Sequence, residues 1–468
     1  MPPQLHKIEG LDRPQVVPGG WHLGGELRAL LRLAIPVVLS ELAWMMMSVV
    51  DTVMVGRLSP EAIGAVGLSS SLYYIPALFG TGLLLGLDTL VSQAHGRSDH
   101  EDCRQWVIQG VYIALCFSLP VMVAVQWIPS LLPRWGTNPA VASQTAGYLR
   151  LLNWGTPWLL LYACIRRYLQ GMHVVKPVTF ALVTANIVNL VGNWLLIYGK
   201  FGLPVMGVRG SALSTVLARA YMAAFLIAVA ARHEHKSGGT FFAHFSVPDK
   251  RRILRILQLG GPAATQMIFE IGAFGGATVI AAKLSAESLA AHQVALNIAS
   301  VTYMVPLGVS AAAAVAVGHN IGAGNPARAR RTGYLAIGVA TSFMAMMALV
   351  LTVFPRQIVW IYSPDPRVLA IGVPLLALAA AFQIFDGVQT ATTGALRGLG
   401  HTKAPMVVNF VGYWILGLPL GYWLCFTGKL GVFGVWIGLT IALVFIATLV
   451  LLEWKRKSSR AVRGLAVL

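Results

Sequence analysis

Apolar runs of about 20 residues recur along this chain from end to end, and they restrict its fold more than any other feature of the sequence. In a bilayer every backbone N–H and C=O must be paired within the protein, which makes such runs helices. The sequence predicts twelve of them, near 29–52, 62–88, 106–128, 146–165, 178–199, 208–230, 254–280, 288–316, 333–354, 368–393, 404–426 and 431–453. Of the 468 residues, 56% are apolar and only 11% charged, far less charge than a soluble domain carries.

The formal charge of +18 is compatible with a polynucleotide partner, but its distribution points elsewhere. With both termini on one side, most of the 35 Lys and Arg fall in the tails and even-numbered loops, among them Arg97, Arg104, Arg166, Arg167, Arg328, Arg330, Arg331, Lys403 and the stretch KRKSSR from Lys455. The opposite loops carry isolated residues such as Arg57, Lys200 and Lys283. That asymmetry is the positive-inside pattern; it places both termini in the cytoplasm and leaves no need for nucleic acid. Residues 1–28 have neither the apolar core nor the small-residue cleavage site of a secretory signal, so the first span is expected to do the targeting. Cys103, Cys116, Cys164 and Cys425 show no CxxC spacing, and neither a disulfide framework nor a structural metal site follows from them.

The longest polar break, residues 232–252, divides the chain nearly in half and prompts a search for a repeat. A shift of 226 residues lays Pro36 on Pro262 and continues without a gap to Gly96 and Gly322. Within it RLSPEAIGAVG, from Arg57, faces KLSAESLAAHQ, from Lys283, and the two share L-S-x-E. Farther on, LQGMHVVKP from Leu169 matches LRGLGHTKAP from Leu396, and YGKFG from Tyr198 resembles TGKLG from Thr427. Six spans per copy give both copies the same orientation. The expected fold is an all-α polytopic membrane protein, with twelve transmembrane helices in two six-helix lobes related by a parallel internal repeat. Its expected parts are a cytoplasmic tail (1–28), an N-lobe (29–231), a cytoplasmic linker (232–252), a C-lobe (253–453) and a basic tail (454–468).

Charged side chains at membrane depth cost about 2.5–3.5 kcal/mol on insertion scales and are by default functional candidates. Glu41 and Asp51 lie in the first span, Asp88 ends the second, Glu270 sits in the seventh and Asp386 in the tenth. A structural carboxylate is the alternative for each, and the favoured one for Glu41 and Asp88; Arg219 is a potential internal partner. Gln266 lies four residues before Glu270, on the same helix face. Gln383, Asp386 and Gln389 form a stripe on the tenth span, and Gln293 and Asn297 are four apart on the eighth. Asn186, Asn189 and Asn193 form a ladder on the fifth that can meet Asp51, or serve as glue between helices.

Burial disfavours the charged form of a carboxylate. Such a group can take a proton, hold Na⁺ beside amide oxygens or pair with an organic cation, and exclusive occupancy by ion or drug gives antiport. Trp44 with Met45, Met46 and Met47, Tyr73, Tyr74, Trp154, Trp158, Phe269, Tyr303 and Phe382 are candidates for an adaptable pocket wall. Singly, each is also an ordinary packing residue; Trp127 and Trp135 read as an interfacial belt. Glycines such as those of GLLLG, from Gly82, are read as close helix packing. The sequence lacks a phosphate-binding GxxxxGK loop and the common hydrolase and kinase motifs.

VDTVMVGRLS from Val50, the end of the second span at Gln93 to Gly96, NLVGNWLLIYGKFG from Asn189, FEIGAF from Phe269, AAHQVALNI from Ala290 and FDGVQTATTGALRGLGHTKAP from Phe385 together resemble the MATE (multidrug and toxic compound extrusion) family, in its bacterial NorM-type branch. The likeness covers roughly 28–450 in order. It implies a twelve-helix, two-lobed, non-enzymatic exporter of cationic or amphipathic drugs coupled to Na⁺ or H⁺. It has no other cofactor, and the single chain works in the bacterial inner membrane. By motif, Asp51 is the first-half acid, and Glu270 and Asp386 are the second-half coupling carboxylates, with a possible Na⁺ between them. Asn193 stands where the DinF-like branch has an acid, and Glu41 lies outside the pattern. A lipid-linked oligosaccharide flippase of the same superfamily would need a cavity rich in arginine, and few basic residues fall in these spans. A membrane enzyme acting on lipid would need a cluster such as His95 with Glu101 and Asp102, in a loop that reads more simply as a solvated connector. A channel fits the halved repeat less well than alternating access does.

Overall fold

Capping residues mark where the helices of each half begin, and they recur in register. The computed structural model describes residues 23–135, 138–236 and 247–464. Its first half runs α1 (Leu23–Val55), α2 (Pro60–Leu83), α3 (Gly86–Gly96), α4 (His100–Leu131), α5 (Pro139–Asn153), α6 (Thr156–Gly171), α7 (Lys176–Tyr198) and α8 (Val208–Lys236). The second runs α9 (Lys250–Ala281), α10 (Ala286–Gly322), α11 (Pro326–Val353), α12 (Pro355–Tyr362), α13 (Pro366–Gly398), α14 (Lys403–Phe410), a π-helical segment (Val411–Gly417), α15 (Leu418–Phe426) and α16 (Val432–Val462).

Ser59 Oγ accepts the Ala62 N–H at 3.2 Å to open α2, and Ser285, 226 residues on, accepts the Ser288 N–H at 3.2 Å to open α10. L-S-x-E is thus a cap followed by an acid in the first turn, where the helix dipole favours negative charge. Asp99 opens α4 and Asn325 opens α11, again 226 apart, by accepting from the N–H groups of Asp102 and Arg328 at 2.9 and 3.0 Å. Asn138 and Asp365, 227 apart, do the same for α5 and α13, each followed by a proline whose missing N–H costs nothing at that position.

Eleven helical stretches among the described residues are long and apolar enough to cross a membrane. The fourth expected span is instead divided at Trp154 and Gly155 into α5 and α6, of 15 and 16 residues. Each alone reaches about 23 Å at 1.5 Å per residue, short of the bilayer core. Pro157, in the first turn of α6, removes a backbone donor at the joint. α2 and α3 are likewise parted at Leu84 and Leu85, whereas their repeat counterpart α10 is one helix of 37 residues. The expected basic tail is helical up to Val462, in α16, and the first residues of the expected linker belong to α8. Residues 1–22 of the tail and 237–246 of the linker lie outside the described residues, as does the side chain of Trp135.

The halves form two lobes pressed together at the end where α1 begins and α16 ends. A Cβ on Gly96 would sit 2.1 Å from the His319 carbonyl oxygen, and one on Gly322 would sit 2.0 Å from that of Gln93. Gly82 and Gly308 meet the Cα atoms of Ala264 and Val38 in the same way, at 2.6 and 2.7 Å. Each contact carries over to its twin by adding 226 to one residue and subtracting it from the other, so the sequence repeat is an approximate twofold axis. Each half's first helix crosses to the other lobe. Leu30, Leu33, Ala34 and Val37 of α1 join the core built on α10, and Ile256 and Leu259 of α9 join that of the first lobe. Polar links between lobes gather at this end: Gln93 Nε2 donates to the Gly398 carbonyl at 3.1 Å, and Arg252 pairs with Asp102 at 2.6 Å.

Gly96→Ala or Gly322→Ala is expected to lower stability by about 1–3 kcal/mol, because backbone cannot yield to the added methyl. Gly338→Ala, with open space around it, should be neutral or stabilising by about 0.5–1 kcal/mol. Thermal unfolding of the detergent-solubilised protein measures both; equal melting temperatures for all three would contradict the packing described.

Candidate functional site

A cavity of about 520 Å³ lies between the lobes, lined by Glu41 and Trp44 from the first and by Glu270, Tyr303, Asp386 and Arg397 from the second. The one-turn spacing on α9 brings Gln266 to the wall together with Glu270. Glu270 is half-buried and Asp386 is 5% exposed. The two carboxyls are near enough to repel. Around them stand hydroxyls in place of arginines. Thr390 Oγ1 donates to Asp386 Oδ1 at 3.4 Å, and the Tyr303 phenol stands beside Glu270. Gln389 reaches Asn409 at 3.4 Å, and Asn409 is fixed by its bond to the Pro405 carbonyl at 2.8 Å, which ties α13 to α14 behind the site.

The α13 stripe is only partly as expected. Asp386 and Gln389 reach the cavity, but Gln383 is fully buried away from it, with both amide atoms unpartnered. Gln293 and Asn297 also stand outside the lining, exposed on α10 one and two turns before Ser300 and on the same face. Trp44, Tyr303 and Phe382 line the wall as expected, and Tyr74 joins them. Phe269 does not: it packs on Phe410 with ring centroids 4.9 Å apart, and its carbonyl accepts the Trp414 indole N–H at 3.0 Å. Its place next to Glu270 in sequence puts it 100° around the helix. Trp154 and Trp158 are exposed on the outer surface, and Met46 is exposed as well.

Asp51 is in a different place. It is buried in the first lobe, outside the cavity lining, and accepts from Asn193 Nδ2 at 2.6 Å and Thr215 Oγ1 at 2.9 Å. Asn193 also donates to Asn189 at 3.2 Å, so two rungs of the α7 ladder hold this carboxylate. The third, Asn186, donates instead to the Ala43 carbonyl at 2.9 Å and ties α7 to α1. Arg219, fully buried nearby, donates to the Tyr73 hydroxyl at 2.8 Å and carries the charge that answers Asp51.

The remaining acids are paired. Glu41 forms an ion pair with Arg166. Asp88, expected at the membrane interface, is 0% exposed and lies 3.3 Å from Arg167 and 3.6 Å from Arg397, one from each lobe. These three arginines line the cavity, contrary to the expectation of few basic residues within the spans. The sequence reading ended the fourth span at 165, whereas α6 continues to Gly171 and carries Arg166 and Arg167 inward. Their partners at Glu41 and Asp88 take up the charge that an arginine-rich flippase cavity would leave free. Asp102 is likewise engaged by Arg97 and Arg252, so it does not join His95 in a catalytic cluster.

Two like lobes around a charged intramembrane cavity define a polytopic, repeat-built membrane protein with a central binding space. The chain belongs to the MatE family, whose model matches it twice, at residues 36–195 and 262–423, with starts again 226 apart. It is 36% identical over 439 residues to the "Probable multidrug resistance protein NorM" of Mesorhizobium japonicum, covering 92% of this chain and 94% of that one. It is 33% identical over 445 residues to the "Multidrug resistance protein MdtK" of Yersinia enterocolitica, covering 93% and 97%. The fold is similar to that of the eukaryotic MATE transporter AtDTX14, with TM-score 0.84, 22% identity and coverage of 95% and 99%. It is also similar to an outward-facing multidrug resistance MATE family transporter, with TM-score 0.86, 19% identity and coverage of 94% and 97%.

Arg166→Met is expected to destabilise the protein by about 3–5 kcal/mol, since it leaves Glu41 charged and unpaired in a largely buried position. The double variant Glu41→Gln, Arg166→Met should recover most of that loss. Unfolding of single and double variants in detergent tests it, and strict additivity would show that the pair is not energetically coupled.

Proposed function

We propose that this chain is a secondary multidrug exporter that exchanges cationic or amphipathic compounds for Na⁺ or H⁺ by alternating access. The observation that carries this reading is the pairing of Glu270 and Asp386 on one cavity wall with hydroxyl partners and no arginine of their own. Two neighbouring carboxyls in a desolvated space are unfavourable when both are charged, and a proton, a Na⁺ or an organic cation relieves them. Whichever enters reduces the attraction for the others, and that competition is the thermodynamic core of antiport. Trp44, Tyr74 and Phe382 supply aromatic wall on which varied apolar bodies can rest.

Asp51 acts differently in this scheme. Asn193 and Thr215 stabilise its ionised form, and it lies outside the cavity lining. It therefore positions α1 against α7 and influences the cavity through helix packing. The lobes are closed at the end bearing the termini. If the positive-inside pattern puts that end in the cytoplasm, the conformation described here offers its cavity to the opposite side, as an exporter does when it releases its load.

Dye efflux from proteoliposomes under an imposed Na⁺ or pH gradient tests the proposal. Glu270→Gln and Asp386→Asn should each cut gradient-driven efflux roughly tenfold or more, the scale of a typical coupling energy. Asp51→Asn should leave the number of coupling ions bound per chain unchanged. Normal pumping by both second-half variants would remove the coupling assignment, and failure of either gradient to move dye would remove the exporter reading.

A further inference from the structure

His173 adopts a left-handed backbone, φ 62°, at the position where the second half has Gly400, φ 83°. Glycine takes this conformation freely, whereas a residue with a Cβ takes it only at a cost. The strained histidine is not alone. Its ring lies 5.6 Å from that of His95 and 4.8 Å from that of His319, and those two rings are 5.4 Å apart. Each offers one ring nitrogen such that all three nitrogens lie within 4.8 Å of one another. Nδ1 of His95 and Nδ1 of His319 are buried and have no hydrogen-bond partner. The cluster sits where the C-terminal ends of α3 and α10 converge, and helix C-termini favour a cation. Arg328, the positive group facing His319, is answered by Glu26 at 3.5 Å.

We propose that His95, His173 and His319 form a binding site for Zn²⁺ or a similar borderline divalent ion, and that the bound ion clamps the two lobes at this end. Three neutral imidazoles with a fourth position left to water are a ligand set suited to such ions rather than to Mg²⁺ or Ca²⁺. A Zn–N distance of about 2.0–2.1 Å asks the rings to draw together by roughly an ångström, within reach of side-chain rotation. His95 and His173 belong to the first lobe and His319 to the second. Their convergence depends on the backbone contact that brings Gly96 against His319. An arrangement that opens this end separates the ligands, so the ion binds the closed state preferentially and stabilises it by linkage. The site lies apart from Glu270 and Asp386 and regulates the lobes without entering the exchange.

The test uses the full-length protein without a polyhistidine tag, with Co²⁺ as a visible probe and Zn²⁺ as its competitor. One Co²⁺ per chain is expected, displaced by Zn²⁺, with affinity lowered at least tenfold in His319→Ala and in His173→Gly. The glycine variant relieves the left-handed backbone, so lost binding there cannot be ascribed to misfolding. Unchanged affinity in both variants would overturn the site. For the clamp, nitroxides at His235→Cys and Ala327→Cys, in a Cys116→Ser background, report the lobe separation. Zn²⁺ at ten times its dissociation constant should raise the closed-to-open ratio about tenfold if the open state does not bind it, and should leave His319→Ala unmoved. Binding with no change in that ratio would overturn the clamp. Because none of these readouts measures transport, they stand or fall separately from the exporter proposal.

Discussion

Backbone meets backbone where the two lobes touch, and the rest of the architecture depends on that approach. Gly96 and Gly322 remove the side chains that would hold the C-terminal ends of α3 and α10 apart, while Gly82 and Gly308 do the same one level deeper. Lipid tails are as apolar as the helices they surround, so association in a membrane rests on close packing and on polar links between helices. Both concentrate at one end of this molecule. The lobes are therefore joined at that end, and a cavity remains between them near mid-membrane.

Charge inside the membrane is handled in three distinct ways. Glu41 and Asp88 are answered by arginines, the second by one arginine from each lobe. Asp51 is answered by amide and hydroxyl donors held by α7 and α8, with Arg219 behind them. Glu270 and Asp386 have only hydroxyls and each other. The first two arrangements are complete without a visitor. The third is not, and that incompleteness separates a site that exchanges its occupant from one that only holds the fold.

Much of this was legible in the sequence, for identifiable reasons. The repeat could be read because it resides in caps and glycines, where backbone geometry limits the choice of residue. Asp51 could be matched to Asn193 because two polar ladders in apolar helices have few other places to go. Arg166 and Arg167 were misplaced because a positive pair after an apolar run has the form of a loop, and nothing local says that the helix continues inward to meet Glu41 and Asp88. Phe269, Gln293 and Asn297 were taken with their neighbours, but which face of a helix meets the cavity is fixed by the packing of the other lobe. The histidine cluster was invisible, since its members are distant in sequence and come from both halves.

The π-helical segment Val411–Gly417 bears on how the two halves diverged. Lys176 and Lys403, which open α7 and its counterpart, are 227 residues apart, yet Gly199 and Gly428 after their ends are 229 apart. Two additional residues have been taken up inside a membrane helix, and a π turn, with its wider i→i+5 bonding, is the means of doing so without a loop. Such an insertion turns the helix beyond it relative to the first part. Here the widened turn carries Tyr413 into the buried neighbourhood of Glu270 and Asp386 and sets Trp414 on the carbonyl of Phe269. The symmetry of an ancestral pair of lobes was thus broken by a change of register within a helix, beside the acids that one lobe has in this position and the other lacks.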